Sequence, residues 1–219
     1  MQEEKKTEVW YEVVEPDTSL TQGDIILLCP LIGWNAASLQ LGGSEESAAL
    51  KAAINPFTDD VVVMTQACDL ENNKVSSVVL CPCISLTEFR RTWEEDMRQR
   101  GHNPSPKAWR AVCEDITNGF IWNFSMLNSC DGGELTTEHR IVDFHEIFTV
   151  PREFLESFLK QRGQRRLRLR PPYREHLSQA FARFFMRVGL PSPVEQVWEK
   201  ETVAKIQSFS SVNDENLPR

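Results

Sequence analysis

The sequence lacks long hydrophobic runs. Its longest apolar stretches, at 25–28, 61–64 and 78–81, fall far short of the roughly 20 residues with which a helix crosses a bilayer. The opening Met-Gln-Glu-Glu-Lys-Lys also lacks the apolar core of a signal peptide. We therefore expect a cytoplasmic protein without a membrane partner, whose six cysteines stay reduced.

Motifs that bind phosphate or activate a nucleophile are also missing. The sequence contains no glycine-rich phosphate loop, no dinucleotide fingerprint and no nucleophile elbow, which excludes the common ATPase, dehydrogenase and α/β-hydrolase classes. It has no C-x₂-C zinc knuckle either, and we expect neither a metal nor another cofactor. A thiol or zinc site at Cys68, Cys81 and Cys83 stays open as an alternative.

What is present describes a globular α+β protein. The 219 residues are 41% hydrophobic and 26% charged, a composition that excludes disordered and fibrous classes. Runs rich in β-branched residues predict strands, of which Pro30 is expected to end the second because proline cannot donate to a ladder. The predicted strands are 9–14, 25–29, 60–64, 75–80, 120–127, 139–150 and 166–170.

Helical spacing predicts the remaining elements. A helical hairpin is expected over 85–119, a helix after Pro151 that Gly163 stops, and a further helix after Pro171-Pro172. Residues 33–57 are expected to be irregular, with at most one short helix. We place a domain at 1–162, and a basic strip, a helical cap and a flexible tail at 163–219.

Positive charge is concentrated in one segment. Residues 151–190 carry ten Lys or Arg against three Glu, a net charge of +7 in a chain whose net charge is −8. The sequence Arg166-Leu-Arg-Leu-Arg170 has period two, so Arg166, Arg168 and Arg170 are expected on one exposed face of a strand. Such a face could bind phosphates or an acidic partner, or it could pair with acidic residues of the same chain.

Four short segments resemble, in their order, the MazF/PemK toxin family. They are Gly23-Asp-Ile-Ile-Leu, Val61-Val-Val-Met-Thr, Val78-Val-Leu-Cys-Pro-Cys-Ile-Ser and Arg140-Ile-Val-Asp, the last followed by Thr149-Val-Pro. The resemblance implies an SH3-like β-barrel, interrupted here by the helical hairpin at 85–119. It also implies a metal-independent endoribonuclease that cleaves single-stranded RNA, forms a homodimer and is inhibited by an antitoxin.

The resemblance also implies a set of site residues. Asp24 and Ser85 are similar to polar residues of the family's first and third strands, and Arg140 and Asp143 to its Arg and Asp pair. RNA cleavage needs a base, an acid and a cation at the phosphate, and Asp143, His145 and Arg140 could fill these roles in that order. If the strand is unbroken, Asp143 and His145 face the same way.

One departure from the family concerns charge. An arginine precedes the second strand in the family, whereas Asp59-Asp60 stands there in this sequence. An acidic pair opposes the binding of an anion. The alternative function is therefore a non-catalytic adaptor of a prokaryotic stress or phage-defence module.

The adaptor would bind a protein or a nucleic acid. Its binding residues would be the arginines of 165–174 and the loop with Cys68 and Asp69, which follows a buried strand directly. As a nucleophile, Cys68 would need His139 or His145 as its base. As a structural residue, it is an inert thiol beside a turn-forming aspartate.

Overall fold

The computed structural model describes residues 9–35, 46–131 and 133–186. Its helices and strands belong to one compact unit that ends at Phe185. The strands are β1 Tyr11–Val14, β2 Ile25–Trp34, β3 Ile54–Val63, β4 Ser77–Ser85, β5 Phe124–Leu127, β6 Arg140–Asp143, β7 Phe148–Pro151 and β8 Arg166–Leu169. The helices are α1 Glu46–Ala53, α2 Ala67–Glu71, α3 Leu86–Gln99, α4 Pro106–Thr117, α5 Arg152–Arg162 and α6 Tyr173–Phe185.

The fold is α+β, as predicted, and its strand pairs are antiparallel. Six strands form one sheet in the order β2-β3-β4-β6-β5, with β7 also paired to β4. The four segments that carry the family resemblance lie in β2, β3, β4 and β6, which are consecutive in this order. The second half of β4 pairs with β6 and its first half with β7, so one central strand positions both.

The helical hairpin is confirmed, and its sequence explains its boundaries. Ser85 accepts a hydrogen bond from the N–H of Glu88 at the start of α3, and Ser105 accepts one from the N–H of Ala108 at the start of α4. Such caps satisfy donors that a helix leaves free at its first turn. The predicted end of α5 is also confirmed, because Gly163 adopts a left-handed φ of 63° there.

Three expectations about the strands are wrong. Pro30 does not end β2, which continues to Trp34; because β2 lies at the end of the sheet order, a residue without an N–H is tolerated there. Within 33–57, the one short helix is confirmed as α1, but residues 33–34 and 54–57 are not irregular, since they pair at the far end of the β2–β3 ladder; residues 36–45 lie outside the described residues. The stretch 139–150 is two strands, because the chain bends after Asp143 to bury Phe144.

Part of the C-terminal prediction lies outside the described residues. The helix expected after Pro171-Pro172 is confirmed as α6. The predicted flexible tail falls on 187–219, which are not described. The boundary at 162 stays a prediction; in the structure, β8 pairs with the N-terminal strand β1.

A buried carboxylate joins β8 to the start of β2. Asp24 has no exposed surface, and its Oδ2 accepts hydrogen bonds from Arg166 Nε at 2.8 Å and Arg168 Nη2 at 3.1 Å. Arg168 Nε donates to the other oxygen of the same carboxylate. The terminal nitrogens of Arg166 donate to the carbonyl oxygens of Glu15, Thr18 and Ser19.

The expectation that Arg166, Arg168 and Arg170 share an exposed face is therefore wrong for two of them. Arg166 is only 4% exposed and the Arg168 side chain 13%, whereas Arg170 is exposed. The alternation of Arg and Leu in the sequence predicted that the arginine face is in contact with solvent. In the structure this face turns towards Asp24, and a guanidinium that is paired with a carboxylate can be buried. The alternative that the basic segment pairs with the chain's own acidic residues is what the structure shows at Arg166 and Arg168.

Asp24→Ala should lower the free energy of unfolding by about 3–5 kcal/mol, because it leaves two largely buried guanidinium groups without their carboxylate. Urea unfolding followed by tryptophan fluorescence measures this change. The matched control is Asp17→Ala at an exposed position, which should change stability by less than about 0.5 kcal/mol. Equal unfolding midpoints for the two variants would show that the Asp24 cluster is not structural.

Candidate functional site

The three predicted catalytic residues do not converge. Arg140 and Asp143 are three positions apart in β6, so the alternation of a strand places their side chains on opposite faces. The β6 strand ends at Asp143, and His145 lies in the bend that follows. The condition that the segment be an unbroken strand is therefore not met.

Asp143 and His145 nevertheless lie next to each other. Asp143 Oδ1 accepts the His145 backbone N–H at 2.8 Å and lies 3.7 Å from the ring nitrogen Nδ1. The His145 ring is about half exposed and meets Phe184 edge to face. A bond from an aspartate to the N–H two residues on is the usual Asx-turn geometry, so this contact shapes the turn whether or not the pair has a chemical role.

Arg140 is instead held by three oxygen atoms. Its Nη1 donates to Asp60 Oδ2 at 2.8 Å and to the Cys83 carbonyl at 2.7 Å, and its Nε donates to Thr137 Oγ1 at 2.8 Å. Burial lowers the pKa of Arg140, but the neighbouring Cys83 and the hydrogen bond to Asp60 raise it by a larger amount. The pKa of Arg140 is therefore above its ordinary value, and the guanidinium stays charged. Asp60, which inverts the charge expected from the family, is thus the partner of the arginine that the family resemblance singles out.

Asp60 also fixes a bulge in β2. The register shifts between Ile26 and Cys29, so Leu27 and Leu28 lie opposite the single residue Asp60. Leu28 has a φ of 48°, a left-handed conformation that is unusual for leucine, and its N–H donates to Asp60 Oδ1 at 2.8 Å. The two leucines are 46% and 57% exposed. Strained, exposed residues of this kind concentrate at functional sites.

Beside the bulge lies a cleft that we call the arginine cleft. Four arginines line it, namely Arg140, Arg162, Arg165 and Arg166. Aliphatic residues form its walls, and they are Ile25, Ile26, Leu27, Leu135, Leu159 and Leu167. The cleft encloses about 70 Å³, which is room for several water molecules or one side chain.

Among the described residues, the lining of the arginine cleft contains cationic donors but no carboxylate, although Arg165 is paired with Glu15 and Glu134 outside the lining. Asp24 and Asp60 neutralise part of its charge from behind. The Arg140 side chain is only 10% exposed, and its Nη2 has no hydrogen-bond partner among the described residues. Arg162 and Arg165 are more exposed and lie at the rim, where Arg162 Nη1 donates to the Leu27 carbonyl. The cleft can therefore accept an anionic group.

The other predicted binding residues lie apart from this cleft. Ser85 accepts the Glu88 N–H as the cap of α3, although its backbone is in register with Arg140. Cys68 is exposed on the short helix α2. The carboxylate oxygen Oδ1 of the neighbouring Asp69 lies 3.8 Å from Lys74 Nζ. None of these side chains lines the arginine cleft, and Arg168 and Arg170 do not line it either.

The three cysteines of the alternative zinc site are not assembled. Cys81 and Cys83 are fully buried, and burial raises the pKa of each thiol to about 12, whereas Cys68 is exposed. Within the described ranges, no group of three or more His, Cys, Asp or Glu side chains is arranged to hold a metal ion.

Sequence reasoning identified only part of this site. It singled out Arg140, Arg166 and Asp24, which lie in or behind the cleft, but missed Asp60 and Thr137 as partners of Arg140. The available signal was Asp60 itself, because a carboxylate beside a predicted core strand favours a cationic partner. Nothing in the Leu-Leu sequence of β2 indicates the bulge.

No protein-family model matches this chain, and no curated protein matches it significantly. In the part of the chain that the structure describes, no helix is both long and apolar enough to cross a membrane.

The cysteines should divide by reactivity. Cys68 should react rapidly with a disulfide reagent at pH 8 in the native protein, while Cys29, Cys81 and Cys83 should not. Burial raises the pKa of Cys29 to about 11 and those of Cys81 and Cys83 to about 12, so at pH 8 these groups remain almost entirely protonated and unreactive. Stopped-flow absorbance measures the rates, and Cys68→Ser should abolish the fastest phase. Persistence of that phase in the variant would contradict this assignment.

Proposed function

We propose that this chain is a non-catalytic adaptor that binds an anionic segment of a partner protein in the arginine cleft. In this proposal it is a divergent relative of the MazF/PemK family, and its sheet is derived from that family's SH3-like barrel. The consecutive placement of the four similar segments in β2, β3, β4 and β6 supports the relationship. The setting that we propose is a prokaryotic stress or phage-defence module.

The observation that carries the proposal is the placement of Arg140. It points away from Asp143 and His145, is bound to Asp60, and lines a cleft together with three further arginines. A ribonuclease site needs its cation beside its base and acid, so that all three act on one phosphate. The observed arrangement separates the cation from the other two groups and gives it a binding environment of its own.

The walls of the cleft favour a protein ligand over RNA. Six aliphatic side chains surround the arginines, and such walls suit the alkyl part of an amino-acid side chain rather than the hydrated sugar-phosphate backbone of RNA. Single-stranded RNA is held by aromatic stacking and a continuous basic groove, whereas the described residues that line this cleft include no aromatic one. The chain's net charge of −8 also opposes RNA at long range.

Binding should depend on the two rim arginines. A fluorescein-labelled, glutamate-containing peptide should bind at low salt, and Arg162→Gln combined with Arg165→Gln should weaken it about tenfold or more, because two charge-assisted hydrogen bonds are lost. Fluorescence anisotropy measures the dissociation constants. Arg170→Gln, which also removes an exposed arginine but lies outside the cleft, is the control and should bind like the wild type. Equal weakening in the control would show that only overall charge matters.

The second candidate function is the metal-independent endoribonuclease, which the 3.7 Å approach of His145 Nδ1 to Asp143 Oδ1 favours. We expect no cleavage of a mixed single-stranded RNA pool incubated with micromolar protein in EDTA, because Arg140 does not face this pair. Gel electrophoresis resolves the products. Cleavage by the wild type that is lost in Asp143→Ala would establish the ribonuclease and overturn the adaptor proposal.

A further inference from the structure

A segment of the chain itself already lies at the arginine cleft. The Glu134 carboxylate accepts a hydrogen bond from Arg165 Nη1. The next residue, Leu135, lines the cleft and packs against the hydrophobic core. Two residues further on, Thr137 accepts the hydrogen bond from Arg140 Nε. Within four residues, this segment places a carboxylate on Arg165 at the edge of the cleft, an aliphatic side chain in its wall and a hydroxyl on Arg140.

The base of this segment is anchored, whereas its tip is exposed. Cys130 and Thr137 exchange backbone hydrogen bonds of 2.8 and 3.0 Å, and Thr137 is buried. The Glu134 and Arg165 side chains are 70% and 43% exposed. An ion pair this exposed contributes little to stability. Exchange of Glu134 for another carboxylate on Arg165 therefore costs little. Release of Leu135 exposes apolar surface, because this side chain packs against the core, so an incoming ligand must replace it with an aliphatic group.

We propose that Glu134-Leu135 is an internal occupant of the arginine cleft, displaced by a partner segment that places a carboxylate next to an aliphatic side chain. This inference rests on the proposed adaptor function and names the chemistry of its ligand. The incoming carboxylate takes the place of Glu134 on Arg165. Its aliphatic neighbour takes the place of Leu135 among the aliphatic residues of the cleft.

The proposal explains why the cleft combines arginines with aliphatic walls. A carboxylate alone would bind the rim arginines in competition with water, whereas an adjacent aliphatic group also removes apolar surface from water. Arg140, which lines the cleft and is paired with Asp60, adds a further positive charge to the site. The internal segment competes for this site. The apparent affinity of a partner therefore equals its intrinsic affinity multiplied by the fraction of molecules in which the segment has left the cleft.

The probes are three labelled peptides of equal length in a Gly-Ser background, one with a Glu-Leu pair, one with Gln-Leu and one with Glu-Ser. Anisotropy titrations should give the tightest binding for Glu-Leu. Glu134→Gln in the full chain should tighten Glu-Leu binding by up to about fivefold, because it removes an internal competitor worth up to about 1 kcal/mol. Glu146→Gln makes the same charge change at an exposed position outside the cleft and should leave the affinity unchanged.

The results separate the two proposals. If the wild type binds the Glu-Leu peptide in a manner that needs Arg162 and Arg165, but Glu134→Gln binds it no more tightly than Glu146→Gln, the internal occupant is overturned and the adaptor function stands. Glu-Ser binding as tight as Glu-Leu binding would overturn the aliphatic requirement. If no peptide binds, or if binding is unchanged by loss of Arg162 and Arg165, the adaptor function itself fails.

Discussion

The candidate site depends on the two hydrogen bonds that the Asp60 carboxylate accepts, one from Leu28 and one from Arg140. One of its oxygens accepts the N–H of Leu28 and so fixes the bulge in β2, while the other accepts Arg140 and so fixes the inner end of the arginine cleft. Without this carboxylate, a buried guanidinium would lack its charged partner, which is among the costlier defects a folded protein can carry. The charge inversion relative to the family resemblance is thus what gives Arg140 its structural setting.

The same principle organises the basic C-terminal segment. Asp24 binds Arg166 and Arg168, and Arg165 is paired with Glu15 and Glu134. Most of the local positive charge is thereby satisfied within the chain, which leaves a small cleft instead of a broad basic surface. A cleft with a few directed donors and aliphatic walls discriminates between ligands, because a ligand that lacks the matching groups leaves the donors of the cleft without a partner. A broad basic face would instead bind any polyanion.

The sequence predicted the fold class and much of the order of elements, because those depend on local patterns. β-Branched runs, serine caps and Gly163 are read directly from neighbouring residues. The sequence did not predict the burial of Arg166, the passage of β2 through Pro30 or the bulge at Leu28. Each of these depends on a residue distant in the chain, such as Asp24 or Asp60, or on the place of a strand in the sheet. Arg140 was identified from the family resemblance. Its separation from Asp143 follows from the alternation of side chains along β6, and the placement of His145 in a bend follows from the end of that strand.

The most direct test of the account is to map ligand binding residue by residue. A proton–nitrogen NMR correlation spectrum of the full chain, titrated with the Glu-Leu peptide, reports which backbone amides change environment. The account predicts the largest shifts at Leu27, Leu28, Leu135 and Arg165, with Cys68, Asp69 and His145 unaffected. Shifts centred on His145 or on Cys68, with the β2 bulge unchanged, would contradict the claim that the arginine cleft is the functional site.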